Sequence, residues 1–138
     1  MIAALAAVAA VLLAWVRLRR TFTVVVVQGI SMAPTLRRGD RLLVRRAREG
    51  ALRTGQIAVL RDPTGNGHLI KRIAAVHGEP APASVPHEGP VPSGALAVLG
   101  DNPEVSYDSR HCGLVRESDV LGVVIRPLRH GQNRPEGA

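Results

Sequence analysis

"HLIKRIAAV", residues 68–76, switches side chain by side chain between two environments. In an extended chain, residues two apart share a face. Leu69, Lys71, Ile73 and Ala75 then fall on one side, and Ile70, Arg72 and Ala74 on the other. The run predicts a strand, and its apolar face carries a lysine. Lys71 is the only lysine in 138 residues; the other 17 of the 18 Lys+Arg are arginines. A guanidinium stays protonated, whereas a buried amine can become neutral and accept a proton. Burial disfavours the charged amine, and nearby positive charge, Arg72 included, pushes the same way. Lys71 is therefore a candidate general base. The plainer alternative is an edge-strand lysine whose stem packs while its amine reaches water.

Similar short runs extend in both directions. "TFTVVVVQG" (21–29), "DRLLVRR" (40–46), "QIAVLRD" (56–62), "ALAVLGD" (95–101) and "VLGVVIRPL" (120–128) each read as a strand. Gly39, Gly55, "PTGNG" (63–67) and Gly94 punctuate them. No stretch of helical period and adequate length follows residue 21, so the expected fold is mainly β, one domain over 21–130. "GEPAPASVPHEGPVPSG" (78–94) holds five of the ten prolines and is expected to be a loop of extended character. The tail, 131–138, is expected to be disordered.

Hydrophobic residues make up 46% of the chain but aromatics only 2%, so the core must be built from Val, Leu, Ile and Ala. The net charge of +7 invites an anionic partner. Nucleic acid fits poorly, because bases would find few aromatic platforms and the arginines are dispersed. They thicken at "RLRR" (17–20) and "RRGDRLLVRRAR" (37–48), the first beside an apolar N-terminus. Charge in that place suits a lipid bilayer. Residues 1–20 read as a membrane anchor with a basic flank. The apolar run Met1–Val16 would reach roughly 24 Å as a helix, short of the ~30 Å hydrocarbon core. A cleavable leader is disfavoured, since no basic segment precedes the run and "AWVRLRR" follows it. The positive-inside tendency places "RLRR", and the chain after it, in the cytoplasm. One cysteine, Cys112, allows no intramolecular disulfide, and no Cys/His cluster has metal-ligand spacing. No metal or other cofactor is expected.

A neutral lysine needs a group to deprotonate. In "QGISMAPTLRRGDRLLV" (28–44) a strand ends near Gly29, and Ser31 sits on the turn before Pro34. Such a serine can aim its hydroxyl and its own backbone N–H at one carbonyl. Serines also do ordinary turn chemistry at such places. Histidine bases are conceivable at His68, His77 or His111, but His68 falls on the face of its strand opposite Lys71 and no Gly-x-Ser-x-Gly elbow is present. A Cys112–His111 pair is disfavoured because neighbouring strand residues point apart.

"GISMAPTLRRGDRLLV" (29–44) resembles the nucleophile box of type I signal peptidases, the membrane-bound Ser-Lys proteases. "HLIKRIAAVHGE" (68–79) resembles the box carrying their lysine, and "LGDNPEVSYDSRHCGLV" (99–115) their third motif. "GQIAVLRDP" (55–63) matches the strand between the first two, so the likeness runs in the family's order from Val24 to Val124. It implies a compact signal-peptidase-like catalytic β-domain behind one N-terminal transmembrane helix. Position by position it implies Ser31 as nucleophile and Lys71 as general base, with the Ser31 backbone N–H in the oxyanion hole. Ser106 would orient the lysine, and Asp108 and Arg110 would form an ion pair beside it. Their alternate spacing predicts that these three share a strand face. The implied partners are the bilayer and precursor proteins bearing signal or leader peptides. The implied location is the cell membrane, single-pass, with the catalytic domain outside the cytoplasm, against the tendency of "RLRR".

Two features depart from the family pattern. Gly29 stands where some members carry a hydroxyl that completes the oxyanion hole. Too few residues separate Lys71 from Gly100 for the large accessory β-domain of some bacterial enzymes, and the Pro-rich loop stands in its place. Two other functions remain open. "GDRLLVRR" and "GDNPEVSYDSR" also resemble compact relatives that mature one precursor, such as the leader of nickel-type superoxide dismutase. A basic, membrane-tethered β-module without enzymatic activity would explain the charge alone.

Overall fold

The computed structural model describes residues 1–48, 50–65 and 67–128; the tail expected to be disordered lies outside the described residues. Helix α1 spans Ile2–Thr21, and strand β1, Phe22–Val26, follows without a linker. Then come β2 (Arg41–Arg46), β3 (Ile57–Arg61), β4 (His68–Ala75), β5 (Ala95–Leu99), the short helix α2 (Ser109–Cys112), β6 (Val115–Arg116) and β7 (Val120–Leu128). All seven strands form one sheet in the order β1-β2-β7-β3-β4-β5-β6. Every neighbouring pair is antiparallel, so the mainly β reading holds.

The register shifts between Leu43 and Val44, between Val59 and Leu60, and between Ile73 and Ala75. Such irregularities sharpen strand twist, and here they help curl the sheet into a half-barrel. At Gly122 in β7 an added Cβ would lie 2.5 Å from the Arg45 carbonyl oxygen and 2.6 Å from Val44 Cγ1, so only glycine allows β2 and β7 to close there. One core cluster gathers Leu52, Ala58, Leu60, Ile73, Leu96 and Val98, and a second gathers Val27, Met32, Leu36, Leu42, Val44 and Val59. Both are aliphatic, as the low aromatic content requires.

Burial along β4 follows the expected alternation, with Lys71, Ile73 and Ala75 buried. The Pro-rich loop is more structured than its composition suggests. Pro80 and Pro90 form an isolated bridge, and Val85 and Val91 pack with Ala75 and Ala97 in a cluster of their own.

Helix α1 differs from the sequence reading in length. It runs through Arg17, Arg19 and Arg20, and its 20 residues reach about 30 Å, which removes the shortfall. It is long and apolar enough to cross a membrane, and none of it is buried within the protein. Arg19 stacks over the Trp15 ring, 4.7 Å from its centroid.

The third motif needs a correction. Ser106, Asp108 and Arg110 do not alternate along a strand. Asp108 is the N-cap of α2, and Arg110 lies inside that helix. A capping aspartate accepts backbone N–H groups from the first helical turn. Asp108 does so from Arg110, and this local bond replaces the ladder partners a strand would need.

Candidate active site

The turn after β1 carries Ser31. Val27 pairs with the far side of the same excursion, its N–H donating to the Asp40 carbonyl (2.9 Å) while Gly39 N–H donates to the Val27 carbonyl (2.8 Å). Met32 and Leu36 anchor the turn in the core, so Ser31 is fixed from both flanks. The segment after β5 holds it from the front. Asn102 N–H donates to the Ser31 carbonyl (2.8 Å) and Asn102 Nδ2 to the Ile30 carbonyl (3.2 Å). Thr35 Oγ1 donates to Asp101 Oδ2 at 2.6 Å. The Ser31 N–H itself has no acceptor among the described residues, which leaves it available to a substrate oxygen.

Adjacent residues of β4 serve opposite sides of this arrangement. Arg72 points outward and grips Asp101 with two bonds, 2.9 and 2.7 Å, and the pair lowers the Asp101 carboxyl while raising Arg72. Lys71 points inward and is 4% exposed. Its Nζ donates to Ser106 Oγ at 2.9 Å, and Ser106 Oγ donates to Asp108 Oδ2 at 2.7 Å. Asp108 also accepts from Gly100 N–H (2.8 Å) and from Arg110 Nε (3.0 Å) and Nη2 (2.5 Å).

The electrostatics follow from this chain of contacts. Burial pushes the Asp108 carboxyl up, but the bonds from Arg110, Gly100 and Ser106 outweigh it and hold the group well below the usual carboxylate range. Burial is also the main influence on Lys71 and moves its pKa down; Asp108 opposes this, Arg110 adds to it, and Cys112 opposes it. The sequence reading gave Arg72 a share in that effect. Arg72 lies on the other face against Asp101, and Arg110 takes the role.

Proton directions around Ser106 are informative. Its hydroxyl hydrogen goes to a carboxylate that has none, so its oxygen must accept from Lys71. A neutral amine held this way keeps its lone pair free to point elsewhere.

Ser31 and Lys71 line one groove of about 1100 Å³, together with the apolar side chains of Leu60, Leu69 and Val98. Gly100 relates the two sides. An added Cβ there would sit 2.7 Å from the Ser31 carbonyl oxygen and 2.6 Å from Ser106 Cβ. The structure thus gathers Lys71, Ser106, Asp108 and Arg110 into one hydrogen-bonded chain and sets Ser31 across Gly100 from it. No hydrogen bond joins Ser31 to Lys71 among the described residues. His68, His77 and His111 do not line the groove with Ser31: His68 is exposed at the start of β4, His77 Nδ1 contacts the Val91 carbonyl (3.3 Å), and His111 stacks on Tyr107. Cys112 is on α2 rather than a strand, its Sγ donating to the Asp108 carbonyl at 3.3 Å.

The roles of Thr35, Arg72, Gly100, Asp101 and Asn102 escaped the sequence reading. Gly100–Asn102 stood inside the third motif, but Thr35 is 66 residues from Asp101, and no local pattern joins them. An outward arginine beside an inward lysine was the available clue.

The chain matches the family model described as signal peptidase, peptidase S26, over residues 1–81 and 80–128. It belongs to that family and is a serine peptidase by class. Among its relatives, signal peptidase I of Bacillus amyloliquefaciens is 31% identical over 131 aligned positions, covering 70% of this chain and 68% of that protein. Signal peptidase IB of Staphylococcus aureus (strain COL) is 28% identical over 140 aligned positions, covering 71% and 73% respectively.

Proposed function

We propose that this chain is a membrane-anchored endopeptidase that removes signal peptides from precursor proteins through a Ser31–Lys71 dyad. The observation that carries the reading is a buried lysine amine, held on Ser106, in the groove that presents Ser31. Ser31 Oγ attacks the scissile carbonyl carbon as its proton passes to neutral Lys71 Nζ. The oxyanion takes the Ser31 N–H, and Gly29 adds no side-chain donor. Collapse breaks the C–N bond, and Lys71 gives its proton to the leaving amine. Water then attacks the ester, losing a proton to Lys71, and Ser31 departs with that proton. Ser106, backed by Asp108 and Arg110, fixes the amine throughout. Helix α1 serves as the span, with the catalytic domain outside the cytoplasm where exported precursors present their cleavage points.

One observation favours a second reading. Arg17, Arg19 and Arg20 lie at the domain end of α1, and the positive-inside tendency would keep that end in the cytoplasm. A cytoplasmic domain suits an enzyme dedicated to the leader of one precursor. Replacing the wild type with Ser31→Ala and identifying the precursors that accumulate tests both. Many exported precursors support the first reading and one cytoplasmic precursor the second. No accumulation overturns both.

A further inference from the structure

We propose that Tyr107, together with the Leu60–Leu69 pair, receives the side chain of the first residue of the released protein and selects an apolar one. The inference deepens the Ser31–Lys71 reading and rests on it. Tyr107 is the single tyrosine of a chain that has one Trp and one Phe, and it stands 64% exposed in the groove wall instead of filling the core. One face of its ring is covered: His111 stacks on it, with ring centroids 5.3 Å apart and planes 19° apart. That support is itself fixed, because His111 Nδ1 accepts the Asp108 N–H at 3.4 Å and closes the α2 capping box. A ring backed on one face and open on the other is a rigid apolar wall. Its place is set by the preceding residue, Ser106, whose hydroxyl holds the Lys71 amine.

The floor comes from the strands. On the face where Lys71 lies opposite Ala58, the next row is Leu69 opposite Leu60, and both leucines line the groove. Strand order sets the side on which this row falls. Gly100, flanked by the Ser31 carbonyl, continues β5 along one edge of β4, whereas Leu60 belongs to β3 along the other. Lys71 therefore stands between Ser31 and the leucine row. The leaving amine takes its proton from Lys71 in the proposed mechanism, so the residue bearing that amine continues over Leu60 and Leu69, beside Tyr107. Most charged groups of the lining are already satisfied: Asp62 accepts from Thr64, Asp108 pairs with Arg110, and Arg116 pairs with Asp119. Arg38 and Arg61 are the rival recognition element, and they would favour an acidic side chain.

The full-length enzyme in detergent micelles is given synthetic peptides that span the cleavage point of one signal-peptide-bearing precursor and differ only in the first residue after it: Leu, Ser or Asp. Wild type is expected to cleave the Leu peptide with kcat/KM about tenfold above that for the Ser peptide. Tyr107→Ala should bring the two within about twofold, and Tyr107→Phe, which keeps the ring, should preserve the difference. The ratio between substrates is the readout, because a general loss of activity leaves it unmoved. A second measurement adds leucinamide or serinamide during turnover. Either amine attacks the acyl-enzyme carbonyl in place of water, gives its proton to Lys71 and releases Ser31 with that proton. Leucinamide should capture about fivefold more acyl groups than serinamide in wild type, and lose that advantage in Tyr107→Ala. Equal kcat/KM for the Leu and Ser peptides in wild type, or a preference unchanged in Tyr107→Ala, overturns the proposal and spares the dyad. A preference for Asp assigns the site to Arg38 and Arg61 and also overturns it. No cleavage of any peptide by folded wild type overturns the Ser31–Lys71 reading and the inference with it.

Discussion

At Gly100 a single methyl group would touch both halves of the site. The Ser31 carbonyl and Ser106 Cβ flank it at 2.7 and 2.6 Å from an added Cβ, and backbone cannot yield as a flexible side-chain tip can. Gly100→Ala is expected to lower kcat at least about a hundredfold while the protein stays folded, because small displacements of reacting groups are costly. Steady-state kinetics beside a thermal melt would check it. Gly29 presents the opposite case. Nothing lies within 4 Å of an added Cβ there and its φ is not positive, so Gly29→Ser should be tolerated and add an oxyanion donor, raising kcat by roughly tenfold. A rate at or below wild type would mean that the new hydroxyl does not reach the oxyanion. Lys71 was legible in the sequence because its type and its strand face were both unusual. Gly100 was not, because its constraint comes from Ser31, far away in the chain.

At the scale of elements, α2 shows how side chains expected to converge can do so through a different local structure. The spacing of Ser106, Asp108 and Arg110 read as strand alternation, yet the convergence comes from an N-cap carboxylate that accepts from Ser106, Gly100 and Arg110 together. Asp108 is fully buried, so Asp108→Ala should cost about 3 kcal/mol in a denaturant titration by leaving Arg110 and the Gly100 N–H short of a partner. The sign of the pH effect is fixed by the direction of the shift. The folded carboxyl titrates below its unfolded value of 3.8, so its contribution is complete above about pH 4 and fades as the pH falls further. Wild type should lose stability on acidification through that range, and Asp108→Asn should lose less. The six longer strands were readable because β-branched runs and glycine breaks are local signals. Two-residue β6 and the burial of the Pro-rich loop's own Val85 and Val91 against Ala75 and Ala97 depend on tertiary contacts and were not.

At the scale of the whole molecule, the curved sheet lets one strand organise both sides of the groove: β4 holds the Ser31 turn through Arg72 and Asp101, and presents Lys71 from its other face. The proposed mechanism needs the Lys71 amine neutral. Because burial lowers its pKa, activity should rise with pH along a single limb belonging to Lys71, and fall on acidification as the amine takes a proton it cannot exchange with Ser31. If Ser106 positions the base, as proposed, Ser106→Ala should lower kcat with little change in KM, since a positioning residue need not contact substrate. The order of the three motifs made the class of enzyme readable from sequence. Orientation in the membrane was not, because the basic flank and the implied export role point to opposite sides.

Cleavage of a signal-peptide-bearing precursor by full-length Lys71→Arg, in the same micelles as wild type and with folding verified by a thermal melt, asks whether that amine does the chemistry. Arginine keeps the charge but cannot give up its proton, so a folded variant with no detectable cleavage is expected. A folded variant that cleaves at a rate near wild type would contradict the assignment of Lys71 as the base.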